Sequence, residues 1–360
     1  MLKAYALEHL RPGMTVGRDV LKSGSQVVAK KGVKLTDDII NLCKGAGIFS
    51  VYIEEVEVAK PKIPGSEHLL DDEYVKRYDV VATRTHQIYN KLLDTETLDV
   101  DELNYVVGDE ILPHLASGAK AVSQIHNMSR EGLYLIHHVL HVAILAALMA
   151  KWMRWPMEKQ KDLVISALLH DVGKQKVPAA ILDKQGKLTD DEFRQIRKHP
   201  DYGYNMLKLG PLKKKQDILN GVLQHHERMD GSGYPNKNKR ELISEFGRLL
   251  AVLDIYDAMA ADKIYVRRRS PFDVFEVLNG DIVRGKLDPE FGIYFIKNLG
   301  HALNGNWVAL NNGERGRIVY IDESRVASLP IVQVSENKFI DLNRDSSVKI
   351  ESILTANEVG

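Results

Sequence analysis

The sequence predicts a mainly α-helical protein, in which a helical bundle lies between a small α/β unit and a small all-β unit. Apolar residues recur at helical spacing through most of residues 131–303, which indicates packed helices. Strand-like patterns occur only before about residue 60 and after residue 303. A chain of 360 residues also exceeds one ordinary core. The predicted domains are a small α/β domain at 1–64, a helical connector at 65–124, the helical bundle at 125–303 and a small β-barrel-like domain at 304–360.

The N-terminal unit is predicted to contain two strands, at Thr15–Leu21 and Gln26–Lys30, on either side of a Ser-Gly-Ser turn. Thr36 is placed to cap a short helix, because two aspartates follow it in the first turn. A further strand is expected at Val51–Val58, and the proline-containing stretch 61–65 indicates a linker. None of these segments has the spacing of a reactive site.

The connector is predicted to be helical from His68 to about Asn127, with a long amphipathic segment at 68–94. The apolar face of that segment fits two roles equally well. It could connect the N-terminal unit to the bundle, or it could form the contact of a homodimer.

The bundle is predicted from its helix boundaries. The segment Gly132–Trp152 is apolar around most of its circumference, as expected for a buried helix. Pro156 suits the start of the next helix. Thr189 and Glu192 form a capping box, and Pro200 is expected to close the helix that follows. Further helices are expected at Ile218–His226, Phe246–Ala261, 271–279 and 288–299, and strands at Trp307–Leu310, Arg317–Ile321, Pro330–Val334, Phe339–Leu342 and Val348–Ile353.

Composition excludes several classes of protein. Lysine plus arginine equals aspartate plus glutamate at 49 each, so no overall charge attracts a nucleic-acid polymer or an anionic membrane. The single cysteine, Cys43, fits a reducing compartment. The N-terminus lacks the apolar core of a signal peptide, and the longest apolar run, Val142–Ala150, is too short to span a membrane. We therefore expect a cytoplasmic protein without a membrane partner.

Histidine distribution indicates a metal site. Nine of the 13 histidines lie between His114 and His226. His170 and Asp171 follow an apolar helical run, and a helix end lets two adjacent side chains point to one ion. Lys174 adds a positive charge one short loop away, which suits a phosphate. Candidate ligands on different predicted helices are His138, His170, Asp171, His199, His225, His226 and Asp254.

The residues alone leave one ligand position open, because His137, His138 and His141 compete for it. A two-metal site needs roughly six to eight protein ligands, which this set supplies. Mixed imidazole and carboxylate ligands favour first-row transition metals over magnesium or calcium.

Two motifs occur in the order typical of a known family: His170-Asp-Val-Gly-Lys174, then His225-His-Glu-Arg-Met-Asp-Gly-Ser-Gly-Tyr-Pro235. Over about residues 125–300 the chain resembles the HD-GYP family, a branch of the HD superfamily of metal-dependent phosphohydrolases. Its members typically hydrolyse the bacterial messenger cyclic di-GMP. The resemblance implies an HD-type helical bundle and a cyclic dinucleotide substrate.

The resemblance also implies roles for individual residues. It selects His138, which opens the family's His-x-x-x-Val-Ala pattern, as the ligand among the three competing histidines. The implied catalytic residues are Asp171, as the carboxylate that bridges two ions, and Lys174, as a contact to the phosphate or the bridging water. The implied substrate-binding residues are Gly233, Tyr234, Lys263 and Arg267. The implied cofactors are two divalent transition-metal ions, with iron or manganese favoured and nickel, cobalt or zinc as alternatives.

The chain departs from the family pattern at three places. Some members carry a third-metal glutamate four residues before the matching histidine, but this chain has Tyr134, which favours two metals. Residues 236–240 are more basic than usual, and residues 263–266 lack the usual arginine-proline sequence. Lys263 keeps the charge of that arginine without its bidentate geometry, and Arg267 is placed to compensate.

The expected function is metal-dependent hydrolysis of cyclic di-GMP to pGpG and/or GMP in bacterial second-messenger signalling. One alternative is a catalytically weak regulatory module that binds a cyclic dinucleotide without turnover. Another is a phosphodiesterase for a different nucleotide, such as cyclic GMP-AMP.

Overall fold

A computed structural model of the chain describes residues 2–22, 26–48, 50–54, 72–118, 120–122, 125, 134–182, 184, 186–260, 269–322 and 324–354. The helices are α1 Asp37–Gly45, α2 Asp72–Thr95, α3 Val100–Asn104, α4 Tyr134–Trp152, α5 Met157–Leu169, α6 Ala179–Leu182, α7 Asp190–Ile196, α8 His199–Leu207, α9 Gln216–Gln224, α10 Glu245–Ala260, α11 Pro271–Val283 and α12 Pro289–Ala302. A π-helix covers Tyr105–Leu115, and 3-10 turns cover Leu7–His9, Val172–Lys176 and Arg240–Leu242. The strands are β1 Leu2–Ala6, β2 Val20–Lys22, β3 Gln26–Ala29, β4 Ser50–Glu54, β5 Trp307–Leu310, β6 Arg315–Tyr320, β7 Ile331–Ser335, β8 Lys338–Asp341 and β9 Ile350–Ile353.

The predicted fold class is confirmed: a helical bundle lies between a small α/β unit and a small all-β unit. The domain boundaries themselves stay predictions. The linker at 61–65 and the start of the helix expected at Gly132 lie outside the described residues.

The N-terminal unit has its own small core, which includes Val16, Cys43 and Val51. The side chain of Thr36 caps α1 by accepting from the amide of Ile39 at 3.3 Å, as predicted. β1 pairs antiparallel with β4, and β2 with β3. Strand β1 was not predicted.

The bundle surrounds α4, which packs against α2, α5 and α10. By length and composition α4 could cross a membrane, but 83% of its apolar window is buried inside the protein. Burial on all sides explains why its sequence lacks a polar face. Three histidines of this helix are therefore enclosed by the other helices.

The prediction that Pro200 closes a helix is wrong. The capping box of Thr189 and Glu192 does open α7, but α7 ends at Ile196, and Pro200 lies in the first turn of α8. Proline is tolerated there because a first-turn amide has no partner within the helix. This break places His199 at the start of a separate helix.

The C-terminal strands form one antiparallel sheet in the order β8-β7-β6-β5-β9. Within the described residues its outer strands, β8 and β9, are not paired with each other, so the hydrogen bonding is that of an open sheet. The sheet shares the core of the bundle through apolar residues such as Val308, Ile318 and Val332. That shared core removes the need for the sheet to close on itself.

Candidate metal centre

Five elements meet at one buried cluster of histidines and aspartates. His138 comes from α4 and Asp254 from α10, whereas the other members lie at helix ends. His170 and Asp171 follow α5, His199 begins α8, and His225 and His226 follow α9. The structure thus brings together all seven side chains that the sequence nominated as ligands.

Three of these histidines have the same local geometry. Nδ1 of His170, His199 and His225 lies 2.6, 2.7 and 2.8 Å from the carbonyl oxygen three residues earlier, at the end of a helix. Such carbonyls lack a partner within the helix. Because a carbonyl can only accept, Nδ1 carries the proton and the Nε2 lone pair faces the cluster.

Asp171 lies between two groups of possible ligands. Its Oδ2 is 3.5 Å from Nε2 of His138 and 3.4 Å from Nε2 of His170. Its Oδ1 is 3.1 Å from Nε2 of His199 and 3.8 Å from Nε2 of His225. The two groups that could each hold an ion, His138-His170-Asp171 and Asp171-His199-His225-His226, therefore share this one carboxylate.

Asp254 adds the second carboxylate. Its Oδ1 is 3.1 Å from Nε2 of His138, and its Oδ2 is 3.5 Å from Nδ1 of His226. It therefore contacts both His138 and His226, and it is only 7% exposed. This position completes a mixed imidazole and carboxylate set for the first group.

The electrostatics of the cluster suit a cation. Burial alone would raise the pKa of Asp171, but Lys174, His170 and His199 outweigh it and hold that pKa well below its usual range. Burial and neighbouring histidines hold the pKa of His225 well below its usual value. Burial lowers the pKa of His138, but hydrogen bonds to Asp254 and Asp257 raise it to about 9. The cluster thus has an ionised Asp171 beside a neutral His225, and His138 carries a proton that a bound cation would replace.

Two observations test whether the residues fit a metal. Nε2 of His199 and Nε2 of His225 face each other at 3.1 Å, although both rings carry their proton on Nδ1. Two lone pairs at that distance repel unless a cation or a proton lies between them. Among the described residues, Nε2 of buried His170 also has no hydrogen-bond partner, and such an orphaned atom is costly. The residues therefore fit metal ions.

Lys174 lies at the open side of the cluster, and its Nζ is 2.5 Å from Oδ2 of Asp171. Asp171 is 1% exposed, whereas the lysine side chain is 23% exposed. The lysine therefore lies between the buried carboxylate and solvent.

The loop after His226 packs tightly on the ligands. A Cβ on Gly233 would lie 2.5 Å from the carbonyl oxygen of His226 and 2.4 Å from the amide nitrogen of Arg228. Glycine at this position lets the loop lie directly on the backbone that carries His226. Gly233 was predicted to bind substrate; that role stays a prediction, and the packing gives it a structural one.

Tyr234 forms a wall of the site. Its ring stacks on His226 with centroids 4.6 Å apart. The guanidinium of Arg197, the residue that follows α7, lies 4.8 Å from the centre of the Tyr234 ring. Burial, Asp254 and Asp171 raise the pKa of Tyr234, so the hydroxyl stays protonated near neutral pH. The predicted substrate contacts Lys263 and Arg267 lie outside the described residues.

Sequence reasoning missed three residues around the site. The Asp257 carboxylate accepts from Nδ1 of His138 at 2.8 Å, and its spacing of three from Asp254 on one helix was an available signal. Buried Glu227 accepts from the amides of Asn236 and Asn238 at 2.7 and 3.1 Å. Because backbone amides make these bonds, the unusual basic side chains of residues 236–240 do not alter them. Arg197 gave no signal in the sequence.

Fold and site together define a helical bundle with a candidate binuclear metal centre. Residues 114–291 match the family model of the HD domain. This part of the chain belongs to the HD domain family, as the resemblance predicted.

Two named relatives match parts of the chain. The chain is 32% identical over 226 residues to the cyclic di-GMP phosphodiesterase PA4108 of Pseudomonas aeruginosa, covering 63% of this chain and 54% of that protein. It is 35% identical over 158 residues to the 3'3'-cGAMP-specific phosphodiesterase 3 of Vibrio cholerae, covering 44% of this chain and 34% of that protein. The chain thus spans about half or less of the length of these two relatives.

A solved structure shares the fold. Bd1817, an HDG"Y"P protein from Bdellovibrio bacteriovorus, superposes with a TM-score of 0.51 over 82% of this chain and 98% of that one. The sequence identity is 18%, so the likeness concerns the fold alone.

Proposed function

We propose that the chain is a metal-dependent phosphodiesterase that hydrolyses a cyclic dinucleotide, cyclic di-GMP in the first instance. The observation that carries the proposal is the sharing of Asp171 between two ligand groups, with Oδ2 toward His138 and His170 and Oδ1 toward His199 and His225. A bridged pair of ions is the usual means of holding a phosphodiester for hydrolysis.

The cluster would hold two divalent ions, one at His138, His170, Asp171 and Asp254 and the other at Asp171, His199, His225 and His226. Bound there, the ions supply Lewis acidity toward the phosphate and acidify water near neutral pH. The imidazole and carboxylate ligands favour iron or manganese, with nickel, cobalt and zinc as further candidates.

The chain's own residues supply the rest. The ammonium of Lys174, beside Asp171, stabilises negative charge on the non-bridging phosphate oxygens as it develops. The ring of Tyr234, held against His226, offers a face for a nucleobase, and the exposed Arg197 lies over the same ring. Gly233 holds this wall close to the ligands.

Metal analysis with product chromatography tests the proposal. The protein is loaded anaerobically with iron(II) or manganese(II) and incubated with cyclic di-GMP. We expect about two ions per chain and conversion to pGpG and/or GMP. His170→Ala should lose one of the two ions and abolish the conversion, whereas His301→Ala, at an exposed histidine of α12, is the matched control and should retain both ions and the conversion. Metal binding without any product would support the regulatory module instead.

A second substrate is favoured by one observation, the 35% identity to a 3'3'-cGAMP-specific phosphodiesterase. The same assay is therefore run with 3'3'-cGAMP in competition with cyclic di-GMP. A larger kcat/KM for 3'3'-cGAMP would change the proposed substrate and leave the metal chemistry unaltered.

A further inference from the structure

We infer that Asp257 is a positioning residue that orients His138 and favours one tautomer of His141, and that Tyr78 of α2 is the far end of the same chain of contacts. The inference rests on the metal centre of the proposed function. It concerns residues that belong to neither motif. Asp257 is fully buried on α10, one helical turn after Asp254.

The contacts run from the ligand toward the connector. The two carboxylate oxygens of Asp257 lie 2.8 Å from Nδ1 of His138 and 3.4 Å from Nδ1 of His141. Nε2 of His141 is 2.8 Å from the hydroxyl of Tyr78, which is 3.0 Å from Nδ1 of His137. The rings of Tyr78 and His137 are stacked, with centroids 5.8 Å apart. Three helices, α2, α4 and α10, therefore contribute to one buried network.

The donors and acceptors of this network follow from one carboxylate. An ionised carboxylate only accepts hydrogen bonds, so His138 donates its Nδ1–H to Asp257. Nδ1 of His141, 3.4 Å from the other carboxylate oxygen, makes no hydrogen bond there, but the negative charge of Asp257 favours the tautomer with the proton on that nitrogen. Nε2 of neutral His141 is then an acceptor, and the single hydroxyl proton of Tyr78 points to it. His137 consequently donates its Nδ1–H to the oxygen of Tyr78. Asp257 thus leaves the Nε2 lone pair of His138 directed at the metal site.

The position of His138 within its helix explains why this histidine needs Asp257 to bind a metal. His170, His199 and His225 are oriented by helix-end carbonyls, but His138 lies inside α4, where the backbone carbonyls are already bonded. It therefore needs a side chain as the acceptor for Nδ1, and Asp257 supplies it. Partners of this kind typically change metal affinity by about 10–100-fold when removed.

Cobalt(II) titration tests the inference, with visible absorption as the readout and no substrate present. We expect Asp257→Ala to weaken one of the two cobalt sites about 10–100-fold and to change its absorption bands. Asp257→Asn keeps the volume but offers one acceptor oxygen, so it should cause a smaller change of the same kind. Tyr78→Phe should weaken the same site by a few-fold.

The matched control is Tyr74→Phe. Tyr74 is also buried on α2, and its hydroxyl donates to the carbonyl of Leu115 at 3.1 Å. This variant loses a comparable hydrogen bond and should retain both cobalt affinities. Thermal unfolding of each metal-free variant separates loss of stability from loss of metal.

The double variant decides whether Tyr78 acts through Asp257. If it does, adding Tyr78→Phe to Asp257→Ala causes no further loss of cobalt affinity. Independent losses that multiply, or a Tyr78→Phe variant that behaves like Tyr74→Phe, would overturn the inference. Because no substrate is used, the outcome is separate from any failure to hydrolyse cyclic dinucleotides.

Discussion

Replacing Gly173 by alanine should push two parts of the metal centre apart, by a distance that follows from the structure. A Cβ there would lie 2.0 Å from the carbonyl oxygen of His199 and 2.4 Å from the amide nitrogen of Gly203. Both are backbone atoms of α8, so no side-chain rotation relieves the clash. Favourable carbon contacts begin near ~3.5 Å, so the turn that carries Asp171 and α8 must separate by about 1 Å or more.

The separation acts on the pair formed by Nε2 of His199 and Oδ1 of Asp171, now 3.1 Å apart. We expect the ion of the His199 group to bind about 10–100-fold more weakly, and turnover to fall about 100-fold, since misplacement by 1 Å has that effect. The free energy of unfolding should fall by about 1–3 kcal/mol because of overpacking. The His138 group should keep its ion.

The assay is metal content per chain after manganese loading, measured beside turnover and denaturant unfolding. Gly45→Ala is the control, because a Cβ at the end of α1 meets nothing within 4 Å. A Gly173→Ala protein with both ions and full turnover would show that the packing of α8 does not hold the second group of ligands.

The remaining predictions concern shared ligands, pH and base stacking. By metal analysis, the Asp171→Asn variant should lose both ions, whereas the His138→Ala variant should lose only one. Equal losses in the two variants would contradict the claim that both ions share the Asp171 carboxylate. Burial raises the pKa of Asp79 to about 7, although Arg18 and a hydrogen bond from Tyr52 lower it. The free energy of unfolding should therefore decrease as the pH rises from the pKa of this aspartate in the unfolded chain, near ~4, to pH 7. Asp79→Asn should therefore stabilise by about 1–2 kcal/mol at pH 8 and little at pH 4 in urea unfolding; the same gain at both pH values would refute this. Tyr234→Ala should raise KM by about tenfold or more, since stacking on a base contributes about 1–3 kcal/mol, whereas Tyr234→Phe should not; equal effects would point to the hydroxyl instead.

The bundle and its candidate ligands were predictable because their signals are local. The capping box at Thr189 marks α7, and adjacent ligand pairs such as His170-Asp171 mark helix ends. A proline does not by itself show whether a helix ends or begins there. Pro200 fits both the end of one helix and the first turn of the next, and packing decides between them. The sheet pairings of β1 depend on long-range contacts that no short pattern indicates.

The choice among His137, His138 and His141 could not be made from periodicity. All three are buried on α4, because the helix is enclosed on every side. Only the partners from other helices distinguish them: His138 meets Asp254, whereas His137 and His141 meet Tyr78. The family resemblance selected His138, and its position beside both carboxylates agrees with that selection.

The most direct test of the two-metal account is electron paramagnetic resonance of the manganese-loaded protein, with the metal counted per chain in the same sample. Two manganese ions bridged by Asp171, about 3.5–4 Å apart, predict two ions per chain and an exchange-coupled spectrum. Asp171→Asn should abolish the coupling. Fewer than one ion per chain, or an uncoupled spectrum that Asp171→Asn leaves unchanged, would contradict the account.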